Sequence, residues 1–400
     1  MANTPFGKSS RLTRADRTAV GDWWWTIDKV SLLLIFILLA LGVIMSFAAS
    51  PPVARDLGIA NEFHFVRKHV VFLVLATATL ILLSMFDDRT IVRLGFLALF
   101  AALIGMLAAI AFGAEIKGSR RWLDLGFFQL QPSEFVKPAL VIVCAWLFSE
   151  HARRPELKAN FIAFGLFLLV LLVLVAQPDI GQAVLVTGVW GLLFFVAGMS
   201  MVWIVALAAV STGGLVSAYF FIPHVTSRID RFLNPESGDT HQTDRAIESF
   251  IEGGWIGKGP GEGEVKEHLP DSHTDFLFAV TGEEFGILLC LAIVGLYLFL
   301  FFRMVRAALR HDQLFSRFAI VGLVGLLAMQ ASINIGVNIQ LLPAKGMTLP
   351  FLSYGGSSLL SVAFTSGVLL ALARRRVPSC TNDHSPARRD FRFRWSLQGR

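Results

Sequence analysis

The sequence predicts an all-α polytopic membrane protein of ten transmembrane helices, and three observations carry that expectation. Of the 400 residues, 55% are apolar and only 16% are charged, whereas soluble proteins are nearer one-quarter charged. The apolar residues gather into runs near the ~20 residues that a spanning helix needs. Between the runs lie short polar segments in which Lys and Arg are unevenly shared. A soluble enzyme, a nucleic-acid-binding module and a disordered scaffold all fit this composition poorly, so no nucleic-acid partner is expected. Three cysteines, Cys144, Cys290 and Cys380, imply no disulfide framework, because two lie inside apolar runs and one in a basic tail.

The predicted spans are 30–49, 70–86, 94–112, 135–148, 161–176, 183–199, 202–222, 276–302, 318–342 and 359–373. The fourth is short and contains Lys137-Pro138, and the last follows Gly355-Gly356-Ser357-Ser358, so these two are the weakest. An even number places both termini on one side. Basic residues concentrate in the tails and short loops of the side that holds the termini, which makes that side cytoplasmic. The chain then divides into a cytoplasmic segment 1–29, helices 1–7 over 30–222, a large periplasmic loop 223–274, helices 8–10 over 275–374, and a basic cytoplasmic tail 375–400. The first run has some outline of a cleaved signal, ending in Ser46-Phe47-Ala48-Ala49. Its spanning length and the preceding Trp23-Trp24-Trp25, an interfacial anchor, favour a retained helix.

Polar residues at the inner ends, Arg153-Arg154, Arg303, Arg306, Arg310 and Arg374-Arg375-Arg376, read as headgroup anchors. The outer side is richer. Lys117-Gly-Ser-Arg120-Arg121-Trp-Leu-Asp124 precedes Gln131-Pro-Ser-Glu134-Phe-Val-Lys137, which puts Glu134 and Lys137 one helical turn apart at the mouth of a span. Such a pair either locks a helix or faces an internal cavity. Asp179, before Ile-Gly-Gln, reads as a helix cap.

The loop 223–274 is the one long water-exposed segment, and its Trp255, spaced glycines and amphipathic 244–251 point to a folded, lipid-grazing structure. It ends at Asp275, where water, headgroups and protein interior meet. That acid suits proton transfer, or it caps the eighth helix. His268 and His273 match no standard zinc spacing. Glu283-Glu284, two turns into the span, need cationic partners from other spans. The last outer segment joins Lys345 to Ser353, Ser357 and glycines, irregular backbone that suits a phosphate.

No nucleotide-binding loop is present, so a reaction on the outer face needs a substrate that arrives activated. A lipid-linked sugar diphosphate is one such substrate. Its transfer needs a base, for which Asp275 is the candidate, and cations for the leaving diphosphate, for which Arg120, Arg121, Lys137 and Lys345 are candidates. A transporter with charged groups along its pathway remains open on these grounds.

The blocks Lys117–Trp122 with Gln131–Lys137, Leu269–Phe276, Gly282-Glu-Glu284 and Pro343–Gly346 with Ser353–Ser358 resemble those of the shape, elongation, division and sporulation (SEDS) family, in the same order. The resemblance implies a ten-helix fold and peptidoglycan glycosyltransferase activity on lipid II. It also implies partnership with a class B penicillin-binding protein (an FtsI-like transpeptidase) and other divisome membrane proteins. Carried over, the catalytic acid falls on Asp275, the paired Glu and Lys on Glu134 and Lys137, and the outer Lys on Lys345 with Ser353 and Ser357 nearby. Lys117, Arg120 and Arg121 join the substrate-binding set, and Glu267 matches a loop acid linked to control of activation. Asp271 departs from the block, which more often has Glu there. The first span's flanks, Trp23–Asp28 and Ala48–Pro51, are similar to the division branch, with the elongation branch as the alternative. No cofactor is required by the sequence, although a divalent cation (Mg or Mn) would suit the diphosphate. A lipid II flippase would share the motifs but needs a polar path to the inner face, where Arg93 is the main ionisable residue. A structural scaffold leaves the outer constellation without purpose.

Overall fold

In hydrocarbon every amide and carbonyl must bond within its own segment, so each apolar run should be helical. All ten are. The computed structural model describes residues 18–116, 119–126, 128–221, 223–233, 241–343 and 346–374. Lys117, Lys345 and the tail 375–400, singled out above, lie outside these residues.

A short helix, α1 (Ala19–Thr26), is capped by Thr18, whose hydroxyl accepts from the Gly21 amide at 3.1 Å. Then come α2 (Lys29–Asp56), α3 (His64–Ser84) and α4 (Asp88–Phe112). After a small sheet follow α5 (Pro132–Arg153), α6 (Ala159–Ala176), α7 (Ile180–Val196) and α8 (Met201–Phe221). The loop region holds α9 (Pro223–Leu233), α10 (His241–Gly253) and a 3-10 turn, Val265–His268. The chain closes with α11 (Leu277–Leu309), α12 (Leu314–Asn338) and α13 (Gly356–Leu372). Among the described residues, eight helices are long and apolar enough to cross a membrane, while α7 and α13 are apolar but have 17 residues each. The protein is a multi-pass membrane protein.

The all-α expectation needs one amendment. Three short antiparallel strands, β1 (Ala114–Ile116), β2 (Ser119–Asp124) and β3 (Gln129–Leu130), form a sheet in the order β1-β2-β3. The β2–β3 turn is tied by Asp124, whose carboxylate accepts from the Gly126 amide at 2.8 Å.

The spans that looked weakest are central. The least apolar of the eight long spans, α5, is the most buried, and it packs against α4, α6, α7, α12 and α13. Its Lys137-Pro138 pair has a structural explanation. Pro138 has no amide to give the carbonyl of Glu134, four residues back. Ser361 of α13 supplies the missing donor at 2.7 Å.

The ends opposite the sheet are clamped together. Arg303 of α11 forms a bidentate pair with Asp28, at 2.6 and 2.7 Å, and Arg374 donates to Thr26 at 2.9 Å. The start and finish of the helical bundle therefore lie at one end.

One helix is interrupted. Gly286 in α11 has φ +80° and ψ 172°, far from helical values. In a continuous helix, Ile287 and Leu288 would bond to Glu283 and Glu284. Here their amides turn to the carbonyls of Gly254 and Trp255 at 2.9 and 3.3 Å. The carbonyls of Glu283 and Glu284 accept instead from Lys258 and Gly259, both at 3.0 Å. The loop is thus intercalated into α11, and a Cβ on Gly257 would collide with the Glu284 carbonyl. Of the spaced glycines, Gly253 and Gly257 are the ones whose missing Cβ permits this approach to the main chain of α11.

Candidate active site

A cavity of about 930 Å³ opens at the end of the bundle away from the Asp28–Arg303 clamp. One wall is the start of α3 (Phe65, Lys68, Phe72), and another is the β2–β3 hairpin (Arg121, Trp122, Asp124, Phe128). The turn before α11 contributes Asp271, Thr274 and Asp275, and the entry to α13 contributes Gly355, Gly356, Ser357 and Ser358. Aromatic rings and polar groups therefore face one space, as binding a ligand with an apolar chain and a charged head requires.

Asp275 is placed by a tight turn in which the amides of Thr274 and Asp275 donate to the Asp271 carbonyl at 3.0 and 3.1 Å. Asp275 stands one residue before the α11 cap. The cap position falls on Phe276, and the first-turn amide of Ala279 donates to Asn338 Oδ1 of α12 at 3.1 Å. Asp275 stands on the cavity wall, and a Cβ on Gly346 would sit 3.4 Å from its Oδ2.

The other predicted residues separate by location. Arg121 lines the cavity but is braced from behind, pairing with Asp179 at 3.4 Å and donating to the Gln177 and Pro178 carbonyls at 3.3 and 2.6 Å. Asp179 caps α7 as expected, accepting from the Gln182 amide at 3.4 Å. Ser357 also lines it, accepting from Gln131 N at 2.9 Å and donating to Gln129 O at 3.0 Å, so its hydroxyl joins α13 to the sheet.

Among the described residues, the remaining predicted ones lie off the cavity wall. Arg120 is not among the lining residues; it is exposed and paired with Glu115 at 3.5 Å, across the β1–β2 turn. Glu134 and Lys137 pair at 2.9 Å, buried and held by Gln182 and Gln330, so they brace the wall. Ser353 is buried outside the lining and accepts from the Leu349 amide at 2.9 Å, closing a turn. Glu283 and Glu284 find partners in the loop, not on other spans. Glu283 accepts from the Val265 and Lys266 amides at 2.7 and 2.9 Å, and Glu284 pairs with Lys266. Glu267 lies outside the cavity, exposed, and pairs with Arg55 of α2 at 3.2 Å.

Lys68 is the lining cation that the sequence reading missed. Its signal, Arg67-Lys68-His69 at the mouth of the second span, reads equally well as a headgroup anchor. Behind the same wall, His273 lies against Phe65 and Tyr354, with ring centroids 4.7 and 5.4 Å away. Burial pushes its imidazole down from 6.5 to about 4, against the opposing pull of Asp271. Asp124, Asp271 and Asp275 all line the cavity, yet among the described residues no three His, Cys, Asp or Glu side chains group to hold a metal.

The profile of the cell cycle protein family that comprises FtsW, RodA and SpoVE matches residues 29–377. The chain belongs to this family. It is 42% identical over 363 residues to the probable peptidoglycan glycosyltransferase FtsW of Caulobacter vibrioides, covering 91% of this chain and 93% of that one. It superposes on a chain of a peptidoglycan synthase complex that coordinates polymerization and crosslinking. There the TM-score is 0.72, identity is 28%, and 88% of this chain and 98% of that one are covered. On the rod shape determining protein RodA of Thermus thermophilus the TM-score is 0.63 at 26% identity, covering 88% and 97%. In this FtsW/RodA/SpoVE-family chain, separate sequence blocks meet at one place. The turn 271–276 presents Asp275, the entry to α13 presents Ser357, and Gln330 links the Glu134–Lys137 pair of α5 to Thr348 of the same wall.

Proposed function

We propose that this chain is a peptidoglycan glycosyltransferase that polymerises lipid II on the outer face of the bacterial inner membrane, at the division septum. The observation that carries the reading is Asp275, at the loop–span junction, on the wall of a large part-aromatic cavity shared with Arg121, Lys68 and the N-terminus of α13. The name of the 42% identical relative supports it.

In this reading all ten apolar helices cross the membrane, with both termini cytoplasmic and the cavity facing outward. The Arg374–Thr26 contact supports the even number, since it joins the bundle's first and last ends. Two lipid-linked disaccharides enter the cavity. Asp275 accepts the proton of the acceptor 4-hydroxyl as its oxygen attacks the donor's anomeric carbon. The bond from that carbon to the diphosphate breaks, and undecaprenyl diphosphate leaves against Arg121, Lys68 and the amides that open α13. An α-linked donor giving a β-linked product inverts once, so one base suffices. A divalent cation would have to take most of its ligands from the diphosphate, so no step is assigned to one. The partner in this reading is a class B penicillin-binding protein, in keeping with a similar chain's place in a complex that coordinates polymerization and crosslinking.

The test is glycan formation from purified lipid II, with and without that partner, for the wild type and Asp275→Ala. Polymer from the wild type alone supports the reading. Equal polymer from Asp275→Ala removes the acid from the mechanism, and lipid II crossing the bilayer without polymer would favour a flippase.

A further inference from the structure

Three carboxamides stand four residues apart on one face of α12: Gln330, Asn334 and Asn338. All three are buried. Asn334 Nδ2 donates to the Asp275 carbonyl at 2.8 Å and to the Met347 carbonyl at 2.6 Å. Asn338 Nδ2 donates to the same Asp275 carbonyl at 3.0 Å and to the Asn334 carbonyl at 2.9 Å, while its Oδ1 caps the Ala279 amide. Gln330 Nε2 donates to the Thr348 carbonyl at 3.1 Å, and its Oε1 accepts from Lys137 at 3.3 Å.

Carbonyl oxygens only accept, so the Asn334 amide can take only one orientation, nitrogen toward Asp275 and Met347. The ladder therefore ties together two stretches of irregular backbone, the turn carrying Asp275 and the segment 346–348. Gly346 and Thr348 of that segment line the same cavity. Neither stretch is helix or strand, and neither could hold its geometry by a regular hydrogen-bond pattern. Both instead take their position from α12, which is among the most buried helices of the bundle.

We infer that Asn334 and Asn338 are positioning residues for Asp275, fixing its main chain against the 346–348 wall so that the carboxylate meets the acceptor hydroxyl. This inference rests on the glycosyltransferase reading of the cavity. Neither amide touches substrate, so their loss should slow turnover and leave binding in place. Asn334→Asp is the sharpest variant, since it keeps the shape but sets a carboxylate oxygen against two carbonyls.

The experiment uses the full chain with its penicillin-binding protein partner and takes two readouts from Asn334→Asp, with Asn338→Ala as the second variant. The first is amide hydrogen exchange across 271–279. The second is kcat and KM for lipid II polymerisation per folded molecule, with the thermal midpoint as a check on folding. The expected result is exchange faster by about tenfold or more, kcat lower by about 10- to 100-fold and KM within about twofold of wild type. Unchanged exchange overturns the proposal, as does faster exchange with unaltered kcat. So does failure of both variants to fold, which would make the ladder a requirement of the bundle. A wild type that binds lipid II but makes no polymer would sink the glycosyltransferase reading instead. Exchange would still decide whether the ladder holds the Asp275 turn.

Discussion

The hydroxyl of Ser361 on α13 donates to the main-chain carbonyl of Glu134 on α5 at 2.7 Å, and both residues are buried. Pro138 created the vacancy that Ser361 fills. Ser361→Ala should cost roughly 1–3 kcal/mol, the range for a stranded buried acceptor, read as a lower thermal midpoint in detergent. Pro138→Ala returns an amide to that carbonyl. In that background the Ser361→Ala penalty should largely vanish, and a double-mutant cycle with no coupling would refute the link.

Gly257 and Gly261 share φ +87°, but only Gly257 faces a wall, the Glu284 carbonyl; nothing lies near the Cβ position of Gly261. Gly261→Ala should cost only the backbone term, ~1 kcal/mol. Gly257→Ala adds a collision with main chain and should free the loop from α11. Limited proteolysis of the loop measures the difference, and equal cleavage rates for the two variants would contradict it.

Lys266 and Glu284 form a buried ion pair between the loop and α11. Removing one partner strands the other charge, so Lys266→Met should destabilise by about 3–5 kcal/mol. Adding Glu284→Gln should restore most of that loss. Thermal unfolding of the two variants checks it, and a double variant no better than the single one would count against a compensated pair.

His273 is neutral where it is buried, with its imidazole at about 4, while an opened loop would titrate near 6.5. Between those values the open form binds a proton that the closed form excludes. The closed turn is therefore fully stable above about pH 6.5 and weakens as pH falls, flattening below about 4, a change on the order of 3 kcal/mol at most. Exchange at residues 271–276 followed from pH 7.5 to 4.5 should show this slope, and His273→Phe should abolish it.

Placement of the apolar helices was legible because apolar length is a strong signal, and each run falls largely on a helix. Helix rank was not. Hydropathy penalises Lys137, Pro138 and the serines of α13, yet those residues face protein, where Gln330 and Ser361 satisfy them. Asp275 could be found from its place at a loop–span junction. The placement of Arg120 could not, since Arg120 and Arg121 look alike in the sequence and are separated only by their partners, Glu115 and Asp179. Lys68 and the α12 amides were invisible for another reason: each bonds or faces something far away in sequence, and Asn and Gln inside an apolar run announce no partner.

The intercalated segment 254–259 leaves α11 with a permanent rival, its own straight form. Expelling the segment and rotating Gly286 alone into a right-handed conformation would let Ile287 and Leu288 recover the carbonyls of Glu283 and Glu284. Two bonds within the helix would then replace four to the loop. Straightening would also swing the turns from 277 to 285, and the acid that precedes them, about a pivot at residue 286. The turn that carries Asp275 is thus tied on one side to the amides of α12 and on the other to a helix that a stretch of glycine-rich backbone keeps broken.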